Sequence, residues 1–100
     1  GLSEALKIHH FAIEENIPLW VGGMIEFGVS KAFNAAFASL SSVQYPGDFS
    51  TATYFFEQDL ASPATHVEKG TLRLSNEAGV GVRWNHDLIE QFLVDKKIVK

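Results

Sequence analysis

One short stretch of this chain combines residues that could bind a ligand. It holds two glycines, a methionine and one carboxylate, namely Gly22, Gly23, Met24 and Glu26. Glycine lets the backbone pass close to a ligand, or adopt a positive φ, where a side chain would clash. Glu26 is the only ionisable side chain between Glu15 and Lys31, so no sequence neighbour neutralises its charge. The pattern predicts a substrate-binding turn that carries one negative charge.

The elements around this turn follow from local signals. Apolar residues at helical spacing predict a helix over residues 3–15, with Ser3 as its N-cap and Asn16 in a left-handed conformation after it. Residues 18–21 show no polar alternation, which predicts a strand buried on both faces. A second helix is predicted over residues 28–40. Strand, glycine turn and helix in this order are typical of α/β ligand sites, because the turn lies at the carboxyl end of the strand.

The second helix carries an apolar stripe at three- and four-residue spacing. Its predicted buried face comprises Val29, Ala32, Phe33, Ala36, Phe37 and Leu40. Glu26 has a second interpretation, as a negative charge at the N-terminus of this helix, and both roles can hold together. From its isolation, we expect Glu26 at the carboxyl end of the strand and at the rim of a pocket.

The second half of the chain predicts shorter elements. Residues 45–48 form a turn signal, and the aromatic residues 54–56 are expected to anchor a long connection. Glu57 and Asp59 are interpreted as surface charges or caps, because their i, i+2 spacing would not put them on one helix face.

Towards the C-terminus, residues 71–75 alternate as a strand does. Asn85 or Asp87 could cap a helix over residues 88–94, and residues 97–99 could add a terminal strand.

Composition excludes several function classes. The net charge of −4 gives no electrostatic footprint for nucleic acid or for an anionic membrane. No cysteine is present, which excludes disulfides and thiolate chemistry and fits a cytoplasmic setting. The neighbouring His9 and His10 point in different directions on a helix and cannot chelate one metal. The residues alone indicate a fragment of an α/β fold with one ligand-facing turn.

Three stretches resemble a known family: residues 1–8, residues 16–26 with Gly-Gly-Met-Ile-Glu, and Tyr45-Pro46-Gly47-Asp48. They are similar to the C-terminal part of the enolase superfamily, within the muconate cycloisomerase subgroup. The nearest resemblance is to the o-succinylbenzoate synthase / N-acylamino acid racemase family. Residues 70–72 and 79–82 resemble the closing stretch of that family.

The resemblance implies a fold and a chemistry. Residues 1–52 would be the C-terminal part of a (β/α)-barrel, and residues 53–100 would return to an α+β capping domain. The parent enzyme would abstract a proton α to a carboxylate, with Mg²⁺ stabilising the enediolate, as in menaquinone biosynthesis or acylamino acid racemisation. The family's catalytic lysines and metal ligands match no residue of this chain. Only the role of lining the pocket for a small-molecule carboxylate carries over, to Gly22, Gly23, Met24 and Glu26.

Two questions stay open at this point. The sequence does not decide between dehydration to o-succinylbenzoate and racemisation of N-acylamino acids. A competing hypothesis is a stand-alone structural or interaction module derived from a barrel. In either case a single barrel strand with two helices leaves strand edges unpaired, so we expect the isolated chain to be a homo-oligomer.

Overall fold

The computed structural model describes residues 1–99, which form three helices, a 3₁₀ turn and four short strands. In chain order they are α1 (Leu2–Glu14), α2 (Gly28–Ala38), the 3₁₀ turn (Ala52–Tyr54), β1 (Ala61–Ser62), β2 (Val67–Glu68), β3 (Thr71–Leu72), β4 (Arg83–Trp84) and α3 (His86–Phe92). The strands make two antiparallel pairs, β1 with β4 and β2 with β3. Helices and strands together place the chain in the α/β class.

Helix α1 confirms the first helix prediction within one residue at each end. Its N-cap is Gly1 rather than Ser3, so the predicted capping role of Ser3 is wrong. Asn16 has a φ of 56°, which confirms the left-handed conformation after the helix. Only His9 and Ala12 of α1 are buried. The Nδ1 atom of His9 lies 2.7 Å from the hydroxyl of Ser42, which ties α1 to the segment after α2.

Residues 18–21 do not form the expected strand buried on both faces. They run extended, with a single parallel bridge from Leu19 to Val43. The N–H of Leu19 donates to Ser42 at 2.8 Å, and the carbonyl of Leu19 accepts from Gln44 at 3.1 Å. Trp20 is 59% exposed. The prediction fails because, within residues 1–99, a neighbouring segment covers only one edge of this stretch.

Helix α2 confirms the second helix prediction, but its buried face differs from the predicted one. The side chains buried most deeply are Lys31 and Ala35, and Phe33 of the predicted face is exposed. Lys31 is only 1% exposed, and its ammonium donates to the carbonyl of Ser50 at 3.0 Å and to the hydroxyl of Ser50 at 3.2 Å. The helix packs against the segment that follows it, which includes Ser50 and Asp59. The buried face of α2 is therefore the face that this segment covers.

The last third of the chain is partly as predicted. Strand β3 covers only the first two residues of the predicted strand and closes a hairpin with β2 through Lys69 and Gly70. Both turn residues have positive φ, 49° and 74°, as the twist of a two-residue hairpin requires. Asn85 caps α3 by accepting the N–H of Leu88, which confirms that prediction, although α3 begins and ends two residues early.

The predicted terminal strand over residues 97–99 is wrong. These residues have no regular secondary structure, and Val99 is 93% exposed. A strand needs a neighbour to accept its backbone hydrogen bonds, and no described segment pairs with this one. None of the helices formed by residues 1–99 combines the length and hydropathy that crossing a membrane requires.

The structure exposes more surface than a folded chain of this size normally does. Its accessible area is 7782 Å², whereas a monomer of 11.0 kDa is expected to expose about 5,600 Å². Its radius of gyration of 15.2 Å also exceeds the roughly 13 Å of a compact 100-residue domain. Within residues 17–27, which form and flank the glycine turn (residues 22–26), the exposed large apolar side chains are Ile17, Trp20, Met24, Ile25 and Phe27.

We predict that the isolated 100-residue chain self-associates, because an excess of roughly 2,000 Å² exceeds the area each partner contributes to an ordinary interface. Sedimentation velocity at micromolar concentration will show species heavier than 11.0 kDa. Ile25→Lys will weaken the association, whereas Gln58→Lys, on an exposed polar side chain, will leave it unchanged. A compact monomer that unfolds cooperatively would contradict the prediction.

Candidate functional site

The glycine turn lies directly after the extended segment and before α2, as the sequence predicts. Gly22 and Met24 are exposed, Gly23 and Glu26 are half-buried, and Met24 keeps 78% of its surface open. The four predicted site residues therefore occupy one continuous, accessible piece of backbone.

A neighbouring segment fixes the start of the turn. The N–H of Asp48 donates to the carbonyl of Val21 at 3.1 Å. Gly23 lies directly against the backbone of Asp48, and a Cβ at Gly23 would overlap the carbonyl oxygen of Asp48. A Cβ at Gly22 would contact only the ring of Trp20, at 3.3 Å. Of the two glycines, Gly23 is the one that close backbone packing requires.

The turn presents free hydrogen-bond donors. Among the hydrogen bonds formed within residues 1–99, none has the backbone N–H of Gly22, Gly23 or Met24 as its donor. N–H groups without an intramolecular partner can donate to a carboxylate or carbonyl oxygen of a ligand. The turn therefore offers backbone donors for an oxygen acceptor.

Glu26 is held on the helix side of the turn. Its Oε1 atom accepts a hydrogen bond of 2.9 Å from the side-chain amide of Asn34, one of the residues of α2. The first N–H of α2, that of Gly28, is taken by Asp59 instead. The capping function at this helix therefore belongs to Asp59, and the charge of Glu26 stays at the turn.

The sequence predicts Asp59 only as a surface charge or a cap, and it does not identify the helix that Asp59 caps. Its Oδ1 atom accepts the N–H of Gly28 at 2.8 Å and the N–H of Ala61 at 3.1 Å, and the residue is only 6% exposed. The interpretation of Asp59 as a cap is confirmed, whereas that of a surface charge is wrong. Glu57 is exposed, as expected. No local signal could identify the cap, because Gly28 and Asp59 are 31 residues apart.

The aromatic residues 54–56, which precede Asp59, differ in what they contact. Phe56 stacks on Phe27 with ring centroids 4.3 Å apart, so it anchors the connection as predicted. Tyr54 is exposed, and its ring lies edge-on to that of Phe55. The stack places the connection against the residue that immediately precedes α2.

Two clefts of the structure lie away from the turn. A cleft of about 740 Å³ separates α2 from the β2–β3 hairpin, and its lining includes Ala32, Ala35, His66 and Arg73. A second cleft of about 460 Å³ lies beside Pro63 and Val82. Neither includes a residue of the turn, so the expected position of Glu26 at a pocket rim has no counterpart in these two clefts.

Within the described part of the chain, no three His, Cys, Asp or Glu side chains converge to hold a metal ion. His9 bonds to Ser42, and its ring is tilted by 51° against that of His10. The two carboxylates near the turn bind different partners, since Glu26 accepts a hydrogen bond from Asn34 and Asp59 caps α2. These residues do not fit a Mg²⁺ site.

Comparison with known proteins identifies the class to which this fold and turn belong. Residues 1–88 match the family described as "Enolase C-terminal domain-like", and the chain belongs to that family.

Curated relatives carry two kinds of name. The chain is 38% identical to o-succinylbenzoate synthase of Bacillus subtilis, over 93% of this chain and 25% of the relative. It is 35% identical to N-succinylamino acid racemase of Thermus thermophilus, over 91% of this chain and 25% of the relative. The chain thus spans about a quarter of the length of the curated relatives it matches.

A solved structure shares the fold. An enolase-superfamily member from Listeria innocua superposes with a TM-score of 0.83 at 35% identity, covering 91% of this chain and 24% of that one. The superposition extends the family assignment from sequence to backbone geometry.

We predict that Gly23→Ala destabilises the protein by about 1–3 kcal/mol, because the new Cβ forces the Asp48 backbone to move. Gly22→Ala is the matched control and should change the free energy of unfolding by less than about 0.5 kcal/mol, since an exposed Trp20 ring can turn aside. Urea unfolding measures both. Equal losses for the two variants would show that the close packing at Gly23 has no special cost.

Proposed function

We propose that this chain is the C-terminal part of an enolase-superfamily enzyme with o-succinylbenzoate synthase activity, N-acylamino acid racemase activity, or both. The observation that carries the proposal is the accessible Gly-Gly-Met-Ile-Glu turn, in a chain whose curated relatives bear these two names. Both reactions begin by removing a proton α to a carboxylate. The substrate would be a small-molecule carboxylate, and the enzyme would act in the cytoplasm.

In this proposal the chain binds and orients the substrate. The free N–H groups of Gly22 and Gly23 donate to an oxygen of the substrate, and the carboxylate of Glu26 orients a neighbouring group of it. Asn34 holds Glu26 in place. The described residues do not fit Mg²⁺, so we derive no step through the metal and assign its ligands, with the catalytic lysines, to the rest of the parent.

The parent architecture is part of the same proposal. Helix α1, the extended segment 18–21 and α2 would be the seventh helix, eighth strand and eighth helix of a (β/α)-barrel. Residues 53–100 would form the segment that returns to the capping domain. The large exposed apolar area beside the turn supports this arrangement, because neighbouring barrel elements would cover it. A homo-oligomer or the partner of a stand-alone interaction module would also cover this area, so the family match rather than the area favours the enzyme.

We predict that Glu26→Gln lowers kcat/KM of the full-length enzyme by about ten- to a hundredfold, the range expected for a hydrogen bond to a charged group. Gln can still accept the hydrogen bond from Asn34, so the loss reports the charge. Steady-state kinetics with an N-succinylamino acid and with the precursor of o-succinylbenzoate measure the effect.

Glu14→Gln is the matched control for this experiment. Glu14 is an exposed glutamate of α1, and its replacement should leave kcat/KM unchanged. Unchanged kinetics in both variants would remove the binding role of Glu26 and leave only its bond to Asn34.

We also predict that the isolated 100-residue chain is inactive, because the family's acid–base lysines and metal-binding acids match none of its residues. Deuterium incorporation at the α-carbon of an N-succinylamino acid in D₂O, followed by NMR, measures the activity. The full-length protein serves as the positive control. Measurable α-exchange by the purified short chain would overturn the prediction.

A further inference from the structure

The start of α2 is fixed by residues far away in sequence. Asp59 accepts the N–H groups of both Gly28 and Ala61 with one oxygen, which joins the beginning of α2 to the beginning of β1. The carboxylate is buried, so water does not compete for these bonds. This contact brings the segment around Asp59 against Gly28, the first residue of α2, which lies just after the glycine turn.

The other carboxylate oxygen fits closely against the helix. Oδ2 of Asp59 is buried and has no hydrogen-bond partner within the described residues. A Cβ at Gly28 would overlap Oδ2 and would lie 2.9 Å from Cβ of Ala61. Gly28 is therefore required by the presence of Asp59, and the two residues form one packed unit.

Two further contacts hold the same region. Phe27 stacks on Phe56, one residue before Gly28. Lys31 bonds to Ser50 one helical turn after Gly28. Together with Asp59, these contacts hold the first turn of α2. The position of Glu26 depends on where α2 begins, because Glu26 lies two residues before Gly28 and is bonded to Asn34 of the same helix.

We propose that Asp59 is a positioning residue for the substrate-binding turn, acting through the N–H of Gly28 without touching the substrate. This inference rests on the proposed function for its kinetic consequence. Loss of the cap lets the first turn of α2 unwind, because the N–H of Gly28 loses its buried acceptor. The turn then samples positions in which Gly22, Gly23 and Glu26 no longer face the substrate together.

The experiment uses the full-length protein and four variants. Asp59→Ala removes the cap, and Asp59→Asn keeps an oxygen acceptor while removing the charge. Gly28→Ala drives the carboxylate away from its place, and Glu57→Ala is the matched control on an exposed acid two residues away. Hydrogen–deuterium exchange of peptides covering residues 22–30 is measured beside kcat and KM for an N-succinylamino acid.

We expect faster exchange over residues 22–30 in Asp59→Ala and Gly28→Ala, with α3 unchanged. In Asp59→Ala, KM should rise about tenfold while kcat changes less than about threefold, as expected when binding geometry rather than the chemical step is disturbed. Asp59→Asn should keep KM within about threefold of the wild-type value, because a neutral acceptor remains and supplies about half the strength of the charged one. Glu57→Ala should match the wild type in every measurement.

Unchanged exchange over residues 22–30 in Asp59→Ala overturns the proposal, and so does an Asp59→Asn variant as impaired as Asp59→Ala. If Asp59→Ala does not fold, Gly28→Ala decides in its place by the same exchange criterion. A wild-type protein inactive on this substrate would refute the proposed function alone, because the exchange measurement tests the positioning without any activity.

Discussion

The structure depends on a buried carboxylate, that of Asp59, which caps the N-terminus of α2 although it lies 31 residues away in the sequence. Asp59 places negative charge where the dipole of α2 is positive and accepts the N–H of Gly28 there, together with the N–H of Ala61 from β1. Hydrogen bonds of this charge-assisted type are roughly twice as strong as neutral ones. This contact holds the connection after α2 against the first residue of the helix. The glycine turn lies just before that residue, so its position depends on the same contact.

Lys31 is a second buried charge near the N-terminus of α2, and among its hydrogen bonds within residues 1–99 there is no carboxylate partner. It is buried one turn into α2, yet its ammonium is bonded to two neutral oxygens of Ser50 and lies 5.9 Å from the ring centre of Phe55. A buried charge is costly unless hydrogen bonds replace its lost water. The neutral acceptors and the ring supply that replacement, so α2 can bury a cation that the predicted apolar face did not include.

Local signals in the sequence predicted what local physics determines. Helices α1 and α2, the left-handed Asn16 and the cap at Asn85 depend on residues within a few positions, and all four were predicted. The cap at Asp59, the burial of Lys31 and the one-sided pairing of residues 18–21 depend on which distant segment arrives there. A periodic pattern does not contain that information. The position of the candidate turn was therefore predictable, whereas the contacts that hold it were not.

The long separations in these contacts have an entropic consequence. Gly28 and Asp59 are 31 residues apart, and His9 and Ser42 are 33 apart. Closing a loop of that length costs about 3 kcal/mol in chain entropy beyond a constant, a cost that the hydrogen bonds inside α1 or α2 do not carry. A peptide copied from residues 18–28 alone lacks Asp48, Phe56 and Asp59, so nothing selects the native backbone from its unfolded ensemble. Grafting the turn onto another protein as a loop would therefore not preserve its conformation, because that conformation depends on contacts with residues distant in the sequence.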